Sequence, residues 1–234
     1  MSLARARSLS LALALGLAGV ACSDPAEGVA VATVSEPTGP TPPSAPSAPP
    51  TEGTTAPAAP SEPARQRLAI DRAGSMVGFT GAKVTASHDG TFGEFSGTIE
   101  LAPEITDSRV QVTIQMASLA IEPERLRDHL LSPDLFGVEQ FPTATFESTR
   151  IVADTSGQVG GQPATHAITG NLTLHGQTRA ITFPAIVSVS DAEVTANAEF
   201  VIDRRDFGIV YPGLPDDLIR DEVVVRFRVR APRS

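Results

Sequence analysis

Polar and apolar residues alternate without a break across residues 109–117, Arg-Val-Gln-Val-Thr-Ile-Gln-Met-Ala, and the same two-residue period recurs to the C-terminus. Residues 166–174 place Ile168, Leu172 and Leu174 on one side, and residues 181–189 do the same with Ile181, Phe183, Ala185, Val187 and Val189. Residues 223–229 repeat it with Val223, Val225, Phe227 and Val229. Successive side chains of a strand point to opposite faces, so each run predicts a strand with one apolar and one wetted side. Many such strands without intervening helices stack as a sandwich or close into a barrel, and a barrel lined by this face has an oily interior. The pattern therefore predicts an all-β, antiparallel fold whose interior is the first candidate for function.

One interruption lies between Ser118 and Phe146. Glu122-Pro123-Glu124 puts proline and carboxylates where a helix begins, and Leu126, His129 and Leu130 follow on one side at helical spacing. Pro133 and Pro142 close the excursion around Leu135, Phe136 and Phe141. A short helix and loop over one barrel mouth is the expected form, serving as a lid or as a plug that shields the core.

The first 64 residues hold no Phe or Tyr, whereas all ten Phe and Tyr211 lie beyond them. The core is thus assigned to residues 65–234, a length at which one domain buries roughly 70% of its unfolded surface. Residues 1–21 read as a signal peptide, with Arg5 and Arg7 ahead of a short apolar stretch from Leu11 to Val20. Leu17-Ala18-Gly19-Val20-Ala21-Cys22-Ser23 resembles a bacterial lipoprotein signal, in which the cysteine is acylated. An ordinary secretory leader is the alternative. Cys22 is the sole cysteine, so no disulfide forms within one chain. Residues 22–64 are read as the lipidated Cys22 and a disordered linker. Residues 23–64 carry eleven of the twenty prolines and no Lys or Arg, and such a composition does not bury enough apolar surface to offset its ordering entropy. Fully extended in polyproline form, it reaches about 130 Å.

Charge excludes polyanionic partners. The whole chain carries −9, and loss of the leader leaves sixteen basic against 27 acidic residues, a net −11, so nucleic acid is not an expected partner. Arg226, Arg228 and Arg230 alternate along the last strand and read as its solvated face. His88, His129, His166 and His175 have no metal-ligand spacing. His88-Asp89-Gly90 reads as a tight hairpin turn. His129 with Asp128 and Glu124 makes a poor acid/base set because neighbouring positions on a helix diverge. Ser96 and Ser132 lack a nucleophile elbow. No catalytic residue, metal or cofactor is expected.

Several blocks together carry a family resemblance. They are Ser87-His88-Asp89-Gly90 through Phe92, Phe95-Ser96-Gly97, residues 129–136, Phe141-Pro142-Thr143-Ala144-Thr145-Phe146, residues 170–176 and Arg205-Asp206-Phe207-Gly208-Ile209. In order and spacing they resemble the YceI-like family across nearly all of residues 67–232. The resemblance implies an elongated, lipocalin-like antiparallel β-barrel with a helix-containing lid and a pore for a polyisoprenoid or isoprenoid quinone tail. Leu135 stands where the family usually has Phe. The resemblance and the alternation together place Phe79, Phe92, Phe95, Phe136 and Phe141 around the cavity, with Phe146, Phe183, Phe200 and Phe207, simple barrel core being the alternative for each. Arg205 is the candidate donor to a polar head group, an ion pair between strand and loop being its alternative.

The function so implied is binding, storage or transport of a long-chain apolar lipid at the bacterial cell envelope. The protein would be held to the membrane by its N-terminal anchor or released to the periplasm, and the reading admits a homodimer. An envelope protein-interaction module with a filled barrel is the rival. Labelled fatty acid is expected to enter the wild-type protein and not Cys22→Ser; equal labelling would remove the anchor.

Overall fold

The computed structural model describes residues 24–37 and 65–233. The expected leader, Cys22 and residues 38–64 of the expected linker lie outside the described residues. The strands are β1 (Thr33–Ser35), β2 (Gln66–Ala69), β3 (Met76–Ala82), β4 (Ser87–Phe92), β5 (Phe95–Leu101), β6 (Arg109–Gln115) and β7 (Leu119–Ala120). A helix, α1 (Glu124–Leu131), separates them from β8 (Thr143–Ala153), β9 (Gln158–Val159), β10 (Gln162–Pro163) and β11 (His166–Leu174). The chain continues through β12 (Gln177–Val189), β13 (Glu193–Asp203), β14 (Gly213–Leu214), β15 (Asp217–Leu218) and β16 (Glu222–Pro232).

One twelve-stranded sheet runs in the order β2-β5-β6-β8-β11-β12-β13-β16-β3-β4-β7, with β1 set against β12. It curls on itself as an antiparallel barrel. Near one end of the order, the Asp71 amide just past β2 donates to the Arg230 carbonyl of β16 at 2.8 Å. At the other, β6 passes through a 3-10 turn at Met116–Ser118 into β7, which pairs with β4.

Local chemistry sets the register. The β11–β12 hairpin turns on His175 and Gly176, both with positive φ, 50° and 71°, the geometry whose twist suits a two-residue hairpin. A Cβ on Gly176 would lie 2.4 Å from the Phe141 ring, so glycine serves both turn and packing there. Between β8 and β11 the pairing jumps from Arg150↔Thr169 to Ser148↔Gly170, leaving Thr149 as a bulge. Buried Ser148 accepts the Val110 amide at 2.8 Å beside it. On the outer face of β16, Arg226 donates to Glu199 at 2.8 Å, and Arg230 bonds Glu193 and Asp71. Arg226 and Arg230 thus form cross-strand pairs on a wetted surface, with Arg228 exposed between them.

Two expectations are corrected. Asp89 and Gly90 sit inside β4 rather than in a turn, and the glycine is required because a Cβ there would stand 2.6 Å from the Phe79 ring. Residues 24–37 are not loose linker. Ala32 is buried, Thr33–Ser35 pair with Ala180–Thr182 of β12, and Asp24 forms an ion pair with Arg220. Within that segment Val-Ala-Val-Ala-Thr-Val alternates around small and β-branched residues, a strand signal that the surrounding prolines dilute.

The core follows the predicted faces. Phe200 and Phe207 are fully buried, and Phe183 stacks on Phe200 with ring centroids 4.3 Å apart. Phe200→Ala is expected to lower unfolding free energy by about 3–5 kcal/mol, read by chemical denaturation.

Candidate ligand cavity

The barrel is partly hollow. A cavity of about 150 Å³ lies under α1 and the loop that follows it, and its wall is carbon almost throughout. Phe79, Phe92 and Phe136 form one side as an aromatic trio, with centroid separations of 5.9, 5.9 and 6.5 Å. Leu172, Ile202 and Phe227 also line it, while Gly81 and Ala144 leave space that larger side chains would fill. Val223, Val225 and Phe227 point inward yet keep accessible surface, because they border this void.

A second apolar void of about 50 Å³ lies further along the barrel, bordered by Phe146, Phe183, Ala185 and Ala198. Phe227 borders both voids. An aromatic row, Phe146–Phe183–Phe200–Phe227, with neighbouring centroids 5.5, 4.3 and 6.0 Å apart, runs beside them. Phe227 therefore acts as a partition.

The nine phenylalanines named from sequence divide into groups. Phe79, Phe92 and Phe136 border the large void, and Phe146 and Phe183 border the small one. Phe95, Phe200 and Phe207 are buried core outside either wall, and Phe141 packs at the edge of His175, 4.7 Å between centroids. Sequence reasoning passed over Phe227, although the alternation of β16 already put it on the apolar face.

Arg205 does not reach the cavity. It is exposed and pairs with Asp221 at 3.2 Å, which matches the ion-pair alternative. Its neighbour Arg204, only 6% exposed, borders the cavity instead. The Arg204 guanidinium donates to the carbonyls of Ile209 at 2.6 Å, Arg220 at 3.0 Å and Ile219 at 3.5 Å, and to Asp221 at 2.9 Å. Those bonds tie down the loop between Ile209 and Asp221, so this charge clamps one wall of the mouth and presents mainly its alkyl stem to the void.

Three segments frame the mouth. The α1 lid contributes Leu130, and the loop after it Leu135 and Phe136. His129 of the lid meets Tyr211 of the Arg204-clamped loop edge-on, centroids 5.1 Å apart. That loop also carries β14 and β15, and it joins the β3–β4 turn through the Lys83–Asp217 ion pair and the Thr85 hydroxyl, 3.0 Å from Asp217. Lys83 bonded to the Asp217 carboxyl, with Thr85 beside it, holds that group below the usual carboxylate range against an opposing effect of partial burial. Among the described residues no group of three His, Cys, Asp or Glu is arranged to hold a metal.

Residues 68–231 match the YceI-like domain family. A UPF0312 protein of Pseudomonas putida is 32% identical over 133 residues, which is 53% of this chain and 65% of that protein. One from Vibrio campbellii is 35% identical over 97 residues, 41% and 48% of the two chains. The chain spans from just under half to just under two thirds of the length of these relatives. Among solved structures, Burkholderia cenocepacia BcnA superposes with a TM-score of 0.59 at 26% identity, covering 69% of this chain and 99% of that one. A polyisoprenoid binding domain from Saccharophagus degradans has a TM-score of 0.56 at 18% identity, covering 74% and 100%. That second likeness is one of fold.

A lowered carboxyl pKa stabilises the folded loop above the ordinary carboxylate pKa and ceases to do so as pH falls through the folded value. Protection of residues 213–219 against hydrogen exchange, taken relative to the intrinsic rate at each pH, is accordingly expected to fall below about pH 4, while amides of β13 keep theirs. Asp217→Asn should show the lowered protection already at neutral pH.

Proposed function

This chain belongs to the YceI-like domain family, and we propose that its cavity binds the end of a long-chain apolar lipid, of polyisoprenoid or isoprenoid quinone type. The observation that carries the reading is the carbon-lined void beneath the α1 lid and its Phe136. A branched hydrocarbon has almost no hydrogen-bonding groups, so its site needs matched apolar area and little else. BcnA and the polyisoprenoid binding domain of Saccharophagus degradans share the barrel. Exported location and acylation at Cys22 belong to the same proposal. Binding, rather than a reaction, is the activity assigned.

Size narrows the ligand's pose. An engineered apolar cavity of roughly 150 Å³ stays dry and takes up benzene, which is comparable with one five-carbon isoprene unit. Burying five carbons contributes about 4 kcal/mol. Association itself costs roughly 4–15 kcal/mol in lost freedom. One buried unit therefore does no more than offset that cost, and useful affinity requires further units. These find room across the Phe227 partition or along the lid. A polar head group, in this pose, stays at the mouth near the loop clamped by Arg204.

Protein purified from its native host is expected to carry a prenyl lipid, detected by organic extraction and mass spectrometry; repeatedly empty preparations that also fail to take up farnesol in vitro would sink the proposal. Two substitutions test the pose with geraniol and farnesol as probes. Phe136→Asp puts a carboxylate into the aromatic trio and should weaken farnesol binding tenfold or more, with a smaller proportional effect on Tm. Phe227→Ala should join the two voids and shift preference toward the longer probe; an unchanged ratio removes the partition.

A further inference from the structure

The barrel wall has a seam. β12 and β13 pair only from Ala185↔Ala198 to Val189↔Val194 and then separate. Beyond that point β12 has β11 on one side, β13 has β16 on one side, and their other edges face each other. Both edges are buried: Ala180, Ile181 and Val201 are each 1% exposed. That burial is given by the N-terminal segment lying over them, and the backbone amides and carbonyls of edges so covered need a protein partner.

The N-terminal segment is that partner. β1 pairs antiparallel with β12 at Thr33↔Thr182, Val34↔Ile181 and Ser35↔Ala180. On its other flank Val31 bridges Val201 in parallel sense, the Ala32 amide donates to the Val201 carbonyl at 2.8 Å, and the Val201 amide donates to the Ala30 carbonyl at 2.8 Å. A strand inserted between two antiparallel neighbours must run parallel to one of them, and this one does. Ala32 and Val34 turn inward to the cluster that holds the Phe183–Phe200 stack, one ring from each side of the seam, while Val31, Thr33 and Ser35 stay exposed. The segment lies outside residues 68–231, so the family barrel has borrowed a strand from beyond the family domain.

We propose that the β12–β13 seam is a strand-acceptor groove, selective for an extended peptide with small apolar residues at alternate positions, and that residues 30–35 of the same chain fill it as a detachable stave. The stave has a short ladder, two small inward side chains and one ion pair, Asp24–Arg220, outside the ladder. Every neighbouring strand has a longer ladder, so opening of this element alone demands far less than unfolding of the barrel. Its specificity is that of strand addition, in which the main chain supplies attraction and alternate pockets supply selection. Here the pockets admit Ala32 and Val34, and larger residues meet the walls of the groove.

The test uses the full chain with Cys22→Ser. Thr33→Cys combined with Thr182→Cys should oxidise to a disulfide within one chain, located by peptide mapping, while Thr33→Cys with Ser188→Cys, out of register, should not. A cross-link found only between two chains would overturn the assignment, since the stave would then belong to a second copy; so would none at all in the register pair. Separately, Ala32→Pro removes the amide that Val201 requires. A fluorescent synthetic peptide of residues 29–36 should bind this variant at least tenfold more tightly than it binds the wild type, whose groove is occupied. Equal binding to both, or no binding to a variant that retains its far-ultraviolet spectrum, would overturn the exchange. The cross-link decides the register even if Ala32→Pro fails to fold.

Discussion

A sheet that encloses an apolar space must pair every amide and carbonyl along its margins, because water does not reach them and an orphaned group costs about 1–3 kcal/mol. Each margin of this sheet is met in a different way. The β2 side is closed by a backbone bond from Asp71 to Arg230, and the far side by β7, a continuation of β6 set against β4. The third margin lies inside the sheet, where β12 and β13 diverge, and there the N-terminal strand supplies the missing partners. Closure of the ladder comes first, and the hollow interior exists because of it.

What the closed wall contains is set by side-chain volume. The inward face carries Phe79, Phe92 and Phe227 next to Gly81 and Ala144, with Phe136 reaching in from the lid loop, and large beside small leaves a gap that rings border without filling. Further along, Phe146, Phe183 and Phe200 pack closely and only a small remnant stays empty. The interior thus passes from void to solid core along one aromatic row. Where Phe227 stands decides how much of that length a slender ligand can occupy.

The barrel was legible because two-residue alternation is strong in β6, β11, β12 and β16, and the α1 lid because its proline and carboxylates precede a helical spacing of leucines. Three features escaped for physical reasons. The short β1 sits among eleven prolines, and a composition averaged over forty residues erases three residues of pairing. Arg204 and Arg205 adjoin a strand end where the chain enters a 3-10 turn at Arg204–Phe207; there period two fails, so alternation does not tell which arginine faces inward. Asp89-Gly90 carries the local signature of a turn, yet the glycine is fixed by the Phe79 ring that lies over it, a contact between strands that local propensity does not register.

Docking of residues 24–37 also resets the geometry of attachment. Cys22 precedes Asp24 by two residues, so with Asp24 paired to Arg220 any acyl group on that cysteine is leashed to the barrel rim by about 7 Å of chain. Moored at its rim, the barrel keeps whatever precedes Asp24 within a few ångströms of the Arg220 loop, and the reach of that end of the chain depends on whether β1 lets go.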